Sequence, residues 1–391
     1  MTADLDCTYV VPSALRWDGE VIKSFVESAP YYLGGLFPEV VDRCVTLKGR
    51  PQPALVEDPV EIVARLVADL ARGYRDATER LLREHASSRP PPIGDPYDQL
   101  VDARHVIPAG PGRFSYHGEF RAKLECLDGL IRSHAHGRRA IEEIYPATVP
   151  ADLLRRVGYL KSFPHHAFFV APARFDQGSL QAAQDGQNVA EGEGEAAAYL
   201  AEPADVLAPT VCHHSFHARL DRADQKTESV TALNTCHRFE AGNVRSLERL
   251  STFRMREIVI FGDAKHVVDE LDHYFEWFLT LLRQWDVSFQ ATTANDPFFG
   301  SSSDSKRLFQ AAFAMKREVR LWIPATRRWI SVASFNNHSH SLVNSFSIRG
   351  EGESAVASGC VGFGYERLLY GLYCAFGASN DAWPESLRPG G

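Results

Sequence analysis

Several absences narrow the reading before any motif is considered. No apolar run approaches the roughly 18 residues that a membrane helix needs, so no membrane span is expected. The N-terminus, "MTADLDCTYVVPSALRWDGE", has early acids and no basic region followed by an apolar block, so no signal peptide is expected. Cysteine is sparse and odd in number, seven in 391 residues, which argues for reduced thiols and a cytoplasmic protein. Basic residues are in deficit: 42 Lys and Arg against 50 Asp and Glu give a net charge of −8, the wrong sign for a general nucleic-acid surface. The chain also lacks a P-loop and a G-x-S-x-G elbow, which excludes Walker-type nucleotide binding and serine-hydrolase chemistry.

What is present divides into two textures. Residues 57–86 read as one long amphipathic helix, with Val60, Val63, Leu66, Leu70, Leu81 and Leu82 near one face. "SSRPPPIGDP" follows as a linker, so residues 1–95 form an N-terminal, mostly helical extension of unassigned role. Further helices are expected from Phe120 to Ile144 and over "LLRRVGYLKSFP". The polar stretch from Asp176 to Asp205 reads as a mobile segment. From Thr210 onward β-type runs dominate: "PTVCHHSF", "SVTALNTCHRFE", "FRMREIVIFG", "REVRLWIP", "RWISVASFNN", "VNSFSIRG" and "SAVASGCVGF". Two helices, "AKHVVDELDHYFEWFLTLLRQW" and "YERLLYGLYCAFG", accompany them. Successive strands with few intervening helices predict an α+β fold: an antiparallel sheet flanked by helices.

Chemistry concentrates in three stretches. "SGCVGFGYER" places glycines before a helix, but no βαβ unit follows, so a dinucleotide fingerprint is a poor fit. Glycines there let a flat ligand approach the backbone, and Arg367 in the first turn offers a fixed cation to phosphate. "RFEAGNVRSLERLSTFRMRE" packs Arg238, Glu240, Arg249, Phe253 and Glu257 into one predicted hairpin. Cys212, Glu257 and Cys360 lie on three different predicted strands. They either pack as small buried side chains or supply two thiolates and a carboxylate, a three-ligand zinc set with an open fourth position. His213 and His217 have i,i+4 spacing but lack the HExxH glutamate.

Arg238-Phe239-Glu240, the loop with Arg249, and Phe253 resemble motif 2 of class II aminoacyl-tRNA synthetases. "GCVGFGYER" resembles their motif 3, and "LLRRVGYLKSFP" is similar to motif 1. The resemblance covers roughly residues 110–378 and is nearest the zinc-dependent seryl type. It implies a core over 100–391, with motif 1 near 151–172, motif 2 at 231–262 and motif 3 at 356–375. It implies that Arg238 holds the α-phosphate of ATP, Glu240 reads adenine, and Phe253 stacks on it. Arg249 takes phosphate, and Arg367 pairs with the γ-phosphate. It implies Zn2+ on Cys212, Glu257 and Cys360 to bind the substrate amine, Mg2+ with ATP, and Asn336 and Asn337 as substrate-orienting residues. Ser331 stands where such enzymes carry a metal-binding Glu, which leaves the number of Mg2+ ions open.

The short chain and the acidic balance favour the truncated, seryl-like amino acid:[carrier protein] ligases over tRNA charging. These enzymes form an aminoacyl-adenylate and pass the acyl group to a carrier's phosphopantetheine thiol. A homodimer and a small amino acid are implied by the same resemblance. A locally basic patch is expected for docking an acidic carrier, with Arg132–Arg139 and "LLRRVGYLK" as the two candidates. The alternatives are a tRNA-charging synthetase or an inactive paralogue acting as a binding protein.

Overall fold

The computed structural model describes residues 5–49 with gaps between 20 and 35, then 58–73, 79–184 except 91, 93 and 175, 200–240, 244, 246–294 and 315–389. Its strands are β1 (Leu5–Val10), β2 (Phe37–Val41), β3 (Cys44–Gly49), β4 (Leu81–His85), β5 (Val106–Pro108), β6 (Phe114–Tyr116), β7 (Ile141–Glu142), β8 (Thr148–Pro150), β9 (Phe169–Val170), β10 (Asp205–Leu207), β11 (Glu228–His237), β12 (Thr252–Gly262), β13 (Phe289–Thr293), β14 (Lys316–Ile323), β15 (Arg328–Ser339) and β16 (Ala357–Gly364). The helices used below are α1 (Pro59–Gly73), α2 (Pro96–Asp102), α3 (Gly118–Gly137), α4 (Ala151–Arg156), α5 (Tyr159–Ser162), α6 (Gln177–Gln184), α7 (Cys212–His217), α8 (Ala264–Gln284), α9 (Ser341–Ser345) and α10 (Tyr365–Phe376).

One eight-stranded sheet, in the order β4-β13-β14-β15-β16-β12-β11-β7, organises the molecule. Every pairing in it is antiparallel except that of β11 with the edge strand β7. This is the α+β antiparallel architecture expected. Helix α8 covers one face. Its buried Val267, Leu271, Tyr274, Phe278 and Leu282 recur at three- and four-residue steps, so one stripe meets the sheet. Asp263 caps it by accepting the His266 amide at 2.8 Å. Gly359 is the close approach: a Cβ there would stand 2.9 Å from both Leu271 and Val267. Residues 357, 359, 361 and 363 of β16 therefore face α8, and 358, 360, 362 and 364 face the other way.

Arg256 ties α3 to the α8 side of the sheet. It is 1% exposed. Its Nε donates to Asp128 Oδ1 at 2.7 Å and its Nη1 to Glu142 Oε1 at 2.9 Å. Removing one partner of a buried ionic cluster leaves the others uncompensated. Arg256→Ala is therefore expected to lower stability by roughly 3–5 kcal/mol, read as a drop in the urea midpoint at unchanged m.

Several expectations need correction. The long helix over 57–86 ends at Gly73, and Leu81–His85 is instead the edge strand β4, paired with β13. Leu81 and Leu82 suit either element locally, and the open edge of β13 decides it. Since β4 and Glu79 join the large sheet, the core draws on residues before 100. The N-terminal part is not mostly helical, because β1, β3 and β2 form a three-stranded sheet. Val45, Leu47, Val63 and Val67 share its separate core. "CHHSFH" is the helix α7, not a strand: Cys212 and Phe216, four apart, are both buried. "VNSFSIRG" begins in α9, with Val343 and Phe346 buried one turn apart. The helix expected to Ile144 stops at Gly137. Of the segment expected to be mobile, 185–199 lies outside the described residues.

Candidate functional site

On the sheet face opposite α8, Cys212, Glu257 and Cys360 converge, all three buried, with ligand atoms within 4.8 Å of one another. Strand register explains the meeting. Cys360 stands opposite Val259 on one side and Asn336 on the other, while Glu257 stands opposite Gly362. Glu257 and Cys360 are thus diagonal neighbours on one face. Cys212 arrives from above, at the start of α7. Its backbone amide donates to Glu257 Oε2 at 2.8 Å, and that of Val211 to Oε1 at 3.4 Å. Asn336 Nδ2 lies 3.4 Å and His338 Nε2 3.6 Å from Cys360 Sγ. Thr210 Oγ1 lies 3.4 Å from Cys212 Sγ.

The electrostatics of this trio are crowded. Burial, then the neighbouring Cys360, pushes the Glu257 carboxyl up to about 8. The two thiols shift in opposite directions through their mutual hydrogen bond, Cys360 well below the usual thiol range and Cys212 well above it. Three such donors gathered in a space without water's screening could hold a divalent cation, whose charge would favour their anionic forms. Two sulfurs and one carboxylate are a zinc donor set with room for a fourth ligand. Among the described residues no other group of three metal-ligating side chains comes together. His213 and His214 are buried, but their ring nitrogens do not join the trio; His213 packs edge-on against Tyr159 at 5.4 Å.

The arginines gather beside it. Arg238 follows β11 directly; its Nε donates to the Pro209 carbonyl at 3.0 Å and its guanidinium lies 5.3 Å above the Phe253 ring. Glu240, 5% exposed, holds Arg249 Nε at 3.0 Å. Arg367 projects from the first turn of α10. Enclosure first, then the guanidinium of Arg249, pushes it down to about 10, with Glu240 opposing and Arg238 adding to the effect. Arg249 and Arg238 lie close enough to Arg367 to depress it, and the three guanidinium groups form a pole of positive charge that suits a polyphosphate. The hairpin and the Gly-rich strand, far apart in sequence, are thus one site.

Not every expected residue joins it. Asn336 does, but the Asn337 Oδ1 accepts the Ser339 amide at 2.9 Å within a strand irregularity. Ser331 stands opposite Arg320, which Glu79 grips in bidentate fashion at 2.7 and 2.8 Å. Glu318 went unnoticed in the sequence. It pairs across the sheet with Ser334, itself opposite Gly362, and so sits in one row with Glu257. Lys316 pairs with it at 3.3 Å. The alternation of Glu318 and Arg320 with Val319 and Leu321 is the signal for a charged face there.

Comparison with known proteins fits this geometry. Residues 204–374 match the model of the tRNA synthetase class II core domain (G, H, P, S and T). Amino acid–[acyl-carrier-protein] ligase 1 of Bradyrhizobium diazoefficiens is 27% identical over 300 residues, 76% of this chain and 90% of that one. The type-2 serine–tRNA ligase of Methanococcus maripaludis is 24% identical over 290 residues, and the match spans 71% of this chain but 56% of the relative. Among solved structures, the SerRS of M. kandleri, in complex with A. aeolicus tRNASec, superposes with a TM-score of 0.71 at 19% identity, over 98% of this chain and 76% of that one. The chain thus carries the class II tRNA synthetase core and, as a homologue of the amino acid–[acyl-carrier-protein] ligases, is a ligase.

Proposed function

We propose that the protein activates a small amino acid with ATP and transfers it to the phosphopantetheine thiol of a carrier protein. The observation that carries this reading is the placement of the Cys212–Glu257–Cys360 trio and the Arg238–Arg249–Arg367 cluster on one face of one sheet. Kinship to the carrier-protein ligases over 90% of their length favours the acceptor.

Cys212, Glu257 and Cys360 would hold zinc, which when bound takes the substrate's amino group and rejects acids that lack one. Asn336 stiffens the trio by donating to Ser334 Oγ at 3.2 Å as well as approaching Cys360. Arg238 sits between the trio and Phe253, where it can hold the α-phosphate while the amino acid carboxylate attacks phosphorus and pyrophosphate leaves. Arg249 and Arg367 neutralise the departing pyrophosphate, together with the Mg2+ that accompanies ATP. In the second step a thiol attacks the activated carbonyl, AMP departs, and the thiol proton passes to solvent. No protein nucleophile is required. A homodimer accompanies this reading, and Ile141 and Ile144, 53% and 92% exposed at the β7 edge, are a surface it would cover. A cytoplasmic setting fits the reduced thiols of the site.

The tRNA-charging reading draws on the type-2 serine–tRNA ligases and on the superposition over 98% of the chain. Labelled amino acids offered in parallel to total tRNA and to a holo-carrier protein decide between acceptors. We expect label on the carrier; label on tRNA alone overturns the proposal.

A further inference from the structure

We propose that α4 and α5, together with Phe169 and Phe239, form the surface on which an acidic carrier protein docks. This rests on the carrier-ligase reading above. Between residues 151 and 174 the chain has one acidic side chain, Asp152, against four basic ones, Arg155, Arg156, Lys161 and Arg174, in a protein whose net charge is −8. All four cations are exposed. Phe169, in the same stretch, is 51% exposed, and Phe239, which packs edge-on against Phe168 at 5.6 Å, is 44% exposed. Exposed aromatic anchors with Arg around them are the composition of a protein interface.

The position of this patch matters as much as its charge. Its inner side walls the site. Tyr159 of α5 meets His213, the residue after Cys212. The Phe239 amide donates to the His166 carbonyl at 3.0 Å, and Phe239 itself stands between Arg238 and Glu240. A partner seated here would hold a thiol on a flexible arm next to the residues that wall the site. The second basic stretch, Arg132–Arg139, fails on the same ground. Arg138 is engaged by Glu270, and His134 stacks on Trp277 at 3.9 Å. Its helix, α3, reaches the sheet through Asp128 and Arg256, and successive residues Arg256 and Glu257 point to opposite faces. A carrier bound there would hold its thiol behind the sheet. Four cations and two exposed phenyl rings suit a small acidic protein; an RNA backbone asks for a longer track of cations.

The double variant Arg156→Glu, Lys161→Glu tests this with three measurements on the full chain, one of activation and two of transfer. ATP–pyrophosphate exchange and transfer to free pantetheine are expected to match the wild type. Transfer to a purified bacterial holo-acyl-carrier protein is expected to fall roughly 10–100-fold in kcat/KM, mostly through KM, with a weaker salt dependence. Carrier loading at the wild-type rate overturns the surface and leaves the ligase reading standing. Loss of pyrophosphate exchange also overturns it, since the cations would then belong to activation. If wild-type protein labels tRNA and leaves the carrier unlabelled, the ligase reading falls and this surface with it.

Discussion

Cys360→Ala is expected to abolish amino-acid-dependent ATP–pyrophosphate exchange, a loss of about 10³-fold or more. The magnitude follows from the several kcal/mol that a metal centre contributes to charge stabilisation and orientation, at one decade per 1.36 kcal/mol. Cys360 sits between Glu257, Cys212, Asn336 and His338, so its sulfur is the hub of the trio rather than one ligand among equals. Metal analysis should find one zinc per chain in the wild type and none in the variant. Chelation should reproduce the loss, and added Zn2+ should reverse it. Cys374→Ala is the matched control: that thiol is buried among the aromatic side chains of α10 and touches neither the trio nor the arginines. Undiminished exchange by metal-free protein would sink the zinc assignment.

The second large effect concerns the arginines. Arg238→Ala and Arg367→Ala are each expected to slow exchange by roughly 10²–10³-fold, the usual loss when one preorganised donor to a developing anion is removed. The two should differ in kind. Arg238 lies nearest the trio and should act on the reacting phosphorus, so its loss should fall on kcat. Arg367, enclosed beside Arg249, should show its loss in the KM for ATP as well. The double variant should fall short of the product of the single effects, because the groups share one charge field. Unchanged circular dichroism in both variants separates these losses from misfolding. A drop of less than threefold in either would remove that residue from the activation site.

Much of this was legible because it rests on local pattern. The stripe of α8, the capping aspartate and the alternation of β14 are each visible in a window of a dozen residues. Motif order also put the hairpin and the Gly-rich strand side by side, and β12 pairs with β16. What escaped was decided at long range. Leu81–His85 became a strand because β13 had an edge to fill, over two hundred residues away. α7 became a helix because Cys212 and Phe216 share a core with Cys360 and Phe346. Glu318 stayed hidden because its meaning is a cross-strand neighbour, Ser334, which no reading of one segment supplies.

The edge strand β4 bears on how this chain can be divided. Beyond pairing with β13, the segment carries Glu79, which clamps Arg320, and His85, which meets Asp286 at 2.9 Å. The link between the small N-terminal unit and the catalytic body is therefore itself the outermost strand of the large sheet, not a string between two beads. Trimming at the proline-rich stretch near residue 90 would remove that strand and take Glu79 from Arg320, leaving Glu318 as its carboxylate partner. A surgeon's cut that spares the catalytic body has to fall in front of Glu79.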